Sequence, residues 1–401
     1  MSIPPTQKAL LSTAIGFAAV RTVPVPPLKP GQLLVKTVAV ALNPTDWKSL
    51  YAPDGSAVGT RLGIDFAGVV VDVRESEPGQ AGEGKRKWEK GERVCGAVWG
   101  GKDDRGAFGE YVVTDGTLLF EIPAHLSFEQ AATLPAGIMT CGQGLYRILG
   151  LPLPSVSAPP APPANSGNDR PQDNNLPGPY ILIYGGSTAS GLLGIQYAKL
   201  SGYTVLTTCS PHNFAYLRSL GADAVFDYHP PSTSETDTPD SDPIATLAAH
   251  INRLTSNALT HAWDCRPTPD ASSSRLCALA LSSTHPGTYA TLQPRIATNA
   301  VEHINPLVTA RCSIAYTAFG EEFERYGQRY GVDEEEVEFL GGFFKLAREL
   351  LESTEKDGGR GLRPAKAEVR GGGLEGVVGG LEDLRGARVS GRKLVYRVGT
   401  E

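Results

Sequence analysis

Tyr180-Ile181-Leu182-Ile183-Tyr184-Gly185-Gly186-Ser187-Thr188-Ala189-Ser190-Gly191, running on through Leu192 to Leu200, is the stretch that decides the architecture. Its first five residues are aliphatic or aromatic, which suits a strand buried on both faces of a parallel sheet. The middle is glycine with small hydroxyl residues, which suits a tight turn with exposed amides. Leu192, Leu193, Ile195, Ala198 and Leu200 then recur at roughly helical spacing. Strand, small-residue turn and helix together present a helix N-terminus to a phosphate.

A dinucleotide-binding turn reads G-x-G-x-x-G in its full form. Here Gly186 and the closing Gly191 are present, and Thr188 stands where the second glycine belongs. The hydroxyls of Ser187, Thr188 and Ser190 can replace some glycine-exposed amide contacts to a pyrophosphate. An ordinary strand-to-helix turn with no ligand is the competing reading. The next strand, Tyr203 to Thr208, is rich in β-branched residues and ends at Cys209-Ser210-Pro211-His212-Asn213. A site for NAD wants Asp or Glu at this place to hold the ribose 2′-hydroxyl. None is present. A neutral corner tolerates a 2′-phosphate, so NADPH is the expected cofactor. Ser210 or Asn213 capping the following helix is compatible with that role.

Working outward, 401 residues suffice for two domains. A net charge of −6 argues against a nucleic-acid footprint. Six scattered cysteines lack metal or disulfide spacing, which fits a reducing compartment. With neither a signal peptide nor a membrane-length apolar run, the cytoplasm is expected and no membrane partner is. Residues 1–150 carry several short strands at a spacing that implies a barrel-like β domain, with a charged hairpin excursion from Arg74 to Glu92. Phe128 to Leu149 reads as a helix, a kink near Leu134-Pro135 and a second helix. From Tyr180 onward, strands and helices alternate, which implies a doubly wound parallel sheet. Late strands are expected at Thr288–Leu292 and Arg311–Tyr316, a helix over Val337–Ser353, and a closing strand over Lys393–Val398 that returns to the first domain. Segments 151–179 and 229–243 are biased in composition and read as surface inserts.

Several segments occur in a telling order: Asn43-Pro44-Thr45-Asp46-Trp47-Lys48, Gly63-Ile64-Asp65-Phe66-Ala67-Gly68, the Ser187–Gly191 turn, Ser210-Pro211-His212-Asn213, Gly221 to Tyr228, and Val389 to Tyr396. Together they resemble the zinc-independent medium-chain dehydrogenase/reductases. Within these, the chain is most similar to the trans-acting enoyl reductases that partner fungal polyketide synthases. The resemblance implies an α/β protein with a GroES-like β-barrel domain (residues 1–145 with 317–401) and a Rossmann NADPH-binding domain (146–316). Zinc-dependent relatives carry Cys near Asn43–Trp47 and Gly-His-Glu where Gly63-Ile64-Asp65 stands. These donors are missing here, so no zinc is expected.

Without a Lewis acid, a conjugated enone or enoyl thioester is the easier acceptor, because charge developing after hydride attack spreads into an enolate. The expected reaction is hydride transfer from NADPH to the β-carbon, hydrogen-bond donation to the enolate oxygen, and proton delivery to the α-carbon. The resemblance puts Asp46, Trp47, Lys48 and Ser49 near the nicotinamide, and Ser187, Thr188, Ala189 and Ser190 at the phosphates. It puts Ser210, Pro211, His212, Asn213 and Tyr228 around the 2′-phosphate and adenosine ribose, and Val389 and Ser390 beside the nicotinamide. Lys48 is the candidate donor to the enolate or ribose; a surface lysine on a short helix is the alternative. Leu134, Pro135, Ala136, Gly137, Ile138, Met139, Thr140 and Cys141 resemble a substrate-lining segment. In it Thr140 is a second candidate donor, unless its hydroxyl bonds its own helix. Thr288, Tyr289, Ala290, Thr291 and Leu292 are expected along the same cleft. The expected partner is a polyketide synthase presenting a carrier-bound substrate. A monomer is expected, with pairing through the sheet edge as the alternative. A stand-alone quinone or enone reductase, and a non-reducing NADPH-binding scaffold, are the competing functions.

Overall fold

The computed structural model describes residues 3–76, 86–154, 176–228, 242–293, 298–325, 327–356 and 361–399. Residues 155–175 and 229–241, most of the two expected inserts, and 77–85 of the charged excursion lie outside the described residues.

The first lobe contributes β1 (Thr6–Ala14), β2 (Phe17–Pro24), β3 (Leu33–Ala41), β4 (Asp65–Val73), β5 (Arg93–Ala97), β6 (Tyr111–Thr114) and β7 (Leu119–Glu121). The second contributes β8 (Tyr180–Tyr184), β9 (Thr204–Thr208), β10 (Ala224–Phe226), β11 (His261–Asp264), β12 (Gly287–Thr291) and β13 (Val308–Cys312). A small hairpin, β14 (Phe323–Arg325) and β15 (Gln328–Tyr330), precedes β16 (Ala367–Arg370) and β17 (Lys393–Arg397). The helices are α1 (Pro44–Leu50), α2 (Phe128–Ala132), α3 (Pro135–Cys141), α4 (Ala189–Leu200), α5 (Phe214–Ser219), α6 (Pro243–Leu254), α7 (Ser272–Ala280), α8 (Thr298–Ile304), α9 (Glu334–Lys356) and α10 (Gly373–Arg385).

In the first lobe the strand order is β16-β17-β3-β4-β5-β7, with β6 also paired to β3. As expected, the closing strand returns here: β17 runs antiparallel to β3, pairing Val395 with Ala41. In the second lobe the order is β10-β9-β8-β11-β12-β13, all parallel. The chain leaves β8 toward β9 and β10, then crosses back to β11 on the other side. That reversal opens a crevice beyond the carboxyl ends of β8 and β11, where ligands of such sheets bind.

Every residue of β8 is buried, as its uninterrupted apolar sequence requires. One core cluster joins the lobes, running from Ala39, Cys95 and Phe120 through Ile138 and Met139 of α3 to Ile183, Ile195 and Trp263. The linking helix breaks as expected. Ser127 caps α2 and accepts from Gln130 N, and Pro135 restarts the chain as α3. Beyond Cys141 the backbone becomes a π-turn over Gly142–Ile148. Gly144 lets this turn pack against Trp263, since a Cβ there would lie 2.4 Å from Trp263 Nε1.

Three expectations need correction. The last parallel strand is Val308–Cys312, not Arg311–Tyr316; from Ala315 to Phe319 the chain winds into a 3₁₀ turn, held where Gln143 Nε2 donates to Ile314 O at 3.2 Å. The helix expected over 337–353 is longer, because Asp333 Oδ1 accepts from Glu336 N and starts it early. Helices α7 and α8 and the β14–β15 hairpin were not foreseen. The Ser272-Ser273-Ser274 start of α7 reads as loop, since serine favours caps and turns over helix interiors.

Candidate active site

The turn after β8 is built around steric necessity. A Cβ on Gly186 would sit 2.1 Å from Thr207 Oγ1, and one on Gly191 would sit 2.5 Å from Gly185 O. Only glycine lets α4 pack this closely on the sheet. Thr188 is the N-cap of α4: its Oγ1 accepts from Gly191 N at 3.0 Å and donates to Gly185 O at 2.8 Å. The Thr188 hydroxyl is therefore committed to the backbone. The half-buried Ser187 and Ser190 hydroxyls and the first amides of a twelve-residue helix remain to face an anion.

A strap from the first lobe crosses this turn. Gly391 N donates to Ser187 O at 3.1 Å, and Asn213 Nδ2 donates to Ser390 Oγ at 2.9 Å. Gly391 has φ +67, and a Cβ there would lie 2.6 Å from Asn213 Oδ1. Ser187, Asn213, Ser390 and Gly391, dispersed over two hundred residues, are thus brought together. Val389 lies beside them, half-buried.

At the far end of the crevice Ser210 Oγ and Tyr228 Oη are 3.1 Å apart. Ser210 and Asn213 stand at the N-cap positions of the 3₁₀ turn and of α5, as expected, though neither caps with its side chain. Arg266 completes this corner: its Nη1 donates to Tyr228 Oη at 3.1 Å, and its guanidinium lies 5.6 Å from that ring. Sequence reasoning missed Arg266. Its signal was position, two residues past the carboxyl end of β11 at the sheet's reversal. Pro211 and His212 are exposed beside it. A carboxylate also lies near: Asp227 helps burial push the Cys209 thiol up, to about 12.

Against α10 of the first lobe packs α1. Pro44 fits its first turn, and the buried Asp46 carboxylate reaches back to accept from Asn43 N at 2.7 Å. Asp46 is accordingly a helix cap rather than a group facing the crevice. Burial, with the nearby Asp65 charge, pushes its carboxyl up to about 8. Asp65, wholly buried, accepts from Asn43 Nδ2 at 2.9 Å and Ala136 N at 2.8 Å, and pairs with the buried Lys393 ammonium. Lys393 also donates to Thr133 O at 3.3 Å. This network ties α1, α3 and β17 together. Lys48, half-buried on α1, has its pKa lowered by burial and then by Arg325. Trp47 packs on the first lobe's core. Ser49 Oγ meets Tyr316 Oη across the lobes at 3.4 Å.

The expected substrate segments fare differently. Leu134, Ile138, Met139 and Cys141 face the joined core, Pro135 is buried, and Gly137 packs where a Cβ would lie 2.6 Å from Leu193. Ala136 contributes its amide to Asp65. Thr140 is partly exposed, but its hydroxyl donates to Ala136 O at 2.6 Å, within its own helix. Tyr289, Ala290 and Thr291 are fully buried in the sheet, where the Tyr289 hydroxyl donates to Asp264 at 2.9 Å. Thr288 is the second residue of β12 and so lies toward the edge of the sheet opposite the crevice; Leu292, just past the strand, is half-buried at the crevice end. These placements follow from periodicity: most of both segments is buried on both sides, with Thr140, Thr288 and Leu292 partly exposed.

The positions where related enzymes carry zinc ligands are otherwise employed. Ile64 is in the core, and the Asp65 oxygens are taken by Lys393, Asn43 and Ala136. Among the described residues no group of three His, Cys, Asp or Glu side chains is placed to hold a metal ion. No helix among them is long and apolar enough to cross a membrane.

A β lobe and a doubly wound lobe meeting over a phosphate-ready turn define a medium-chain dehydrogenase/reductase. Residues 29–124 match the alcohol dehydrogenase GroES-like domain. The solved fold of an alcohol dehydrogenase superfamily protein from Novosphingobium aromaticivorans superposes with a TM-score of 0.71 at 20% identity, covering 98% of this chain and all of that one. Full-length likeness is closer to trans-enoyl reductase resD of Aspergillus sclerotiorum, 40% identical over 98% of this chain and 100% of that protein. The enoyl reductase component lovC of the lovastatin nonaketide synthase, from Aspergillus terreus, is 35% identical over 98% of this chain and 97% of its own. The chain belongs to the trans-enoyl reductase family.

Proposed function

We propose that this chain reduces the α,β-double bond of an acyl thioester presented by the carrier domain of a separate polyketide synthase, using NADPH. The observation that carries the reading is the inter-lobe arrangement: the Ser187–Gly191 turn under the Ser390–Gly391 strap, with Ser49 of α1 reaching Tyr316 of the second lobe. A dinucleotide fits this crevice on steric and electrostatic grounds. The two glycines leave no room for a Cβ, the α4 amides attract a pyrophosphate, and Ser210, Tyr228 and the Arg266 cation suit a 2′-phosphate.

When bound, the reduced nicotinamide supplies a hydride to the β-carbon of the enoyl group. The protein's share is placement and charge. The strap holds the lobes at one separation, and the buried Asp65–Lys393 network holds α1 against α3. Lys48, partly desolvated, donates to the oxygen where enolate charge develops; burial strengthens such a contact relative to water. A conjugated thioester is the acceptor class this site suits, since its charge spreads onto one oxygen.

The test is purified protein with NADPH and either an enoyl pantetheine thioester or a simple quinone. Turnover of the thioester, with NADPH preferred to NADH, supports the reading. Turnover of the quinone alone makes the chain a stand-alone quinone reductase, and nucleotide binding without any reduction makes it a scaffold.

A further inference from the structure

Once hydride adds to the β-carbon, the electron pair of the former double bond resides in an enolate. The α-carbon must then form a C–H bond with a proton from some acid. The two donors suggested by the sequence do not serve this step well. Thr140 gives its hydroxyl proton to Ala136 O at 2.6 Å. Lys48 serves the oxygen rather than the carbon. A third acidic hydrogen, the Tyr316 phenol, stands beside Ser49 on α1, the helix that carries Lys48.

A dinucleotide lies across the carboxyl ends of a doubly wound sheet in two halves. The adenosine half covers β8 to β10, marked here by Ser210 and Tyr228, and the other half falls over β11 to β13. Tyr316 lies four residues past the carboxyl end of β13, so it belongs to the nicotinamide end. It also reaches the other lobe, where its Oη is 3.4 Å from Ser49 Oγ on α1, next to Lys48. The phenol is 4% exposed, so bulk water does not compete with it. The Arg325 guanidinium lies 4.2 Å from the centre of its ring, and Trp99 lies 5.2 Å away. A cation against a phenol favours the phenolate left by proton donation. The turn carrying Tyr316 is held by Gln143, which donates to Ile314 O at 3.2 Å and to Glu336 Oε1 at 2.6 Å. The phenol is thus prepositioned by elements of both lobes.

We infer that Tyr316 is the acid that protonates the α-carbon, with Ser49 as its hydroxyl partner on α1. The O–H bond of Tyr316 breaks as the α-carbon C–H bond forms, and the enolate pair becomes that bond. The phenolate then regains a proton from solvent by way of the Ser49 hydroxyl. The sum is one NADPH and one proton consumed per double bond reduced. This inference rests on the enoyl-reductase reading and names the proton donor within it.

The experiment compares wild type, Tyr316→Phe and Ser49→Ala with an enoyl pantetheine thioester in D₂O. A positioned general acid contributes roughly 10²–10⁴-fold, so Tyr316→Phe should lose at least ~100-fold in kcat. Ser49→Ala should lose less and keep one-faced labelling. The product of wild type should carry deuterium on one face of the α-carbon, and that of Tyr316→Phe on both. Melting temperature and NADPH affinity by fluorescence titration should be unchanged in Tyr316→Phe. If Tyr316→Phe keeps the wild-type rate and one-faced labelling, the inference is overturned. It is equally overturned if melting temperature and NADPH affinity fall while labelling stays one-faced, because Tyr316 is then only a latch between lobes. A wild-type protein that reduces no enoyl thioester removes the enoyl-reductase reading itself, and this inference with it.

Discussion

Replacing Lys393 with methionine isolates the buried ion pair that fixes α1 relative to the linking helix. Asp65 is completely buried and Lys393 is 3% exposed. In the variant, Asp65 keeps Asn43 Nδ2 at 2.9 Å and Ala136 N at 2.8 Å but loses its counter-charge. Removing one partner of a buried pair costs about 3–5 kcal/mol, chiefly because the other charge is left uncompensated. Asp46, next to it in the network, offers no relief, since it too is acidic. Urea unfolding of wild type and Lys393→Met reads this directly. The loss should be about 3–5 kcal/mol, and Asp65→Asn with Lys393→Met should lose less than Lys393→Met alone. A loss under ~1 kcal/mol would show that the pair is solvated rather than buried.

Three further outcomes are expected. Asp46 has a folded pKa of about 8 against 3.8 unfolded, so the native state holds an extra proton between them and wild-type stability falls as pH climbs through that window; Asp46→Asn should flatten the fall in urea titrations. Arg266→Ala removes the cation from the Ser210–Tyr228 corner. Fluorescence titration should show NADPH affinity down about ten- to a hundredfold with NADH unchanged, as a charge-assisted bond of ~1.5–3 kcal/mol implies. Gly391→Val puts a branched side chain at φ +67, with its Cβ 2.6 Å from Asn213 Oδ1. It should cost at least ~1–2 kcal/mol and weaken nucleotide binding, both visible in melting curves with and without NADPH.

What was legible in the sequence was local. Five apolar residues, a glycine turn and an apolar-spaced helix announced β8 and α4, because strand burial and close helix packing act over a few residues. The returning strand Lys393–Val398 was readable for the same reason. What stayed hidden depends on pairs far apart in the chain. Ser49 and Tyr316 are 267 positions apart, and nothing near Tyr316 marks it. Arg266 gains meaning only when β10 and β11 are set on either side of the reversal. Thr140 illustrates the converse: the residue type suited a donor, but the helix beneath it claimed the hydroxyl. The expected substrate segments are largely buried, since apolar runs such as Leu134–Cys141 suit a core as well as they suit a cleft wall.

The most direct measurement is the rate of nicotinamide oxidation by purified protein given an enoyl pantetheine thioester, run in parallel with NADPH and NADH. Saturated thioester formed in step with nucleotide consumed, and faster with NADPH, is the expected result. A saturated product that never forms, while either nucleotide binds or a quinone is reduced, contradicts it.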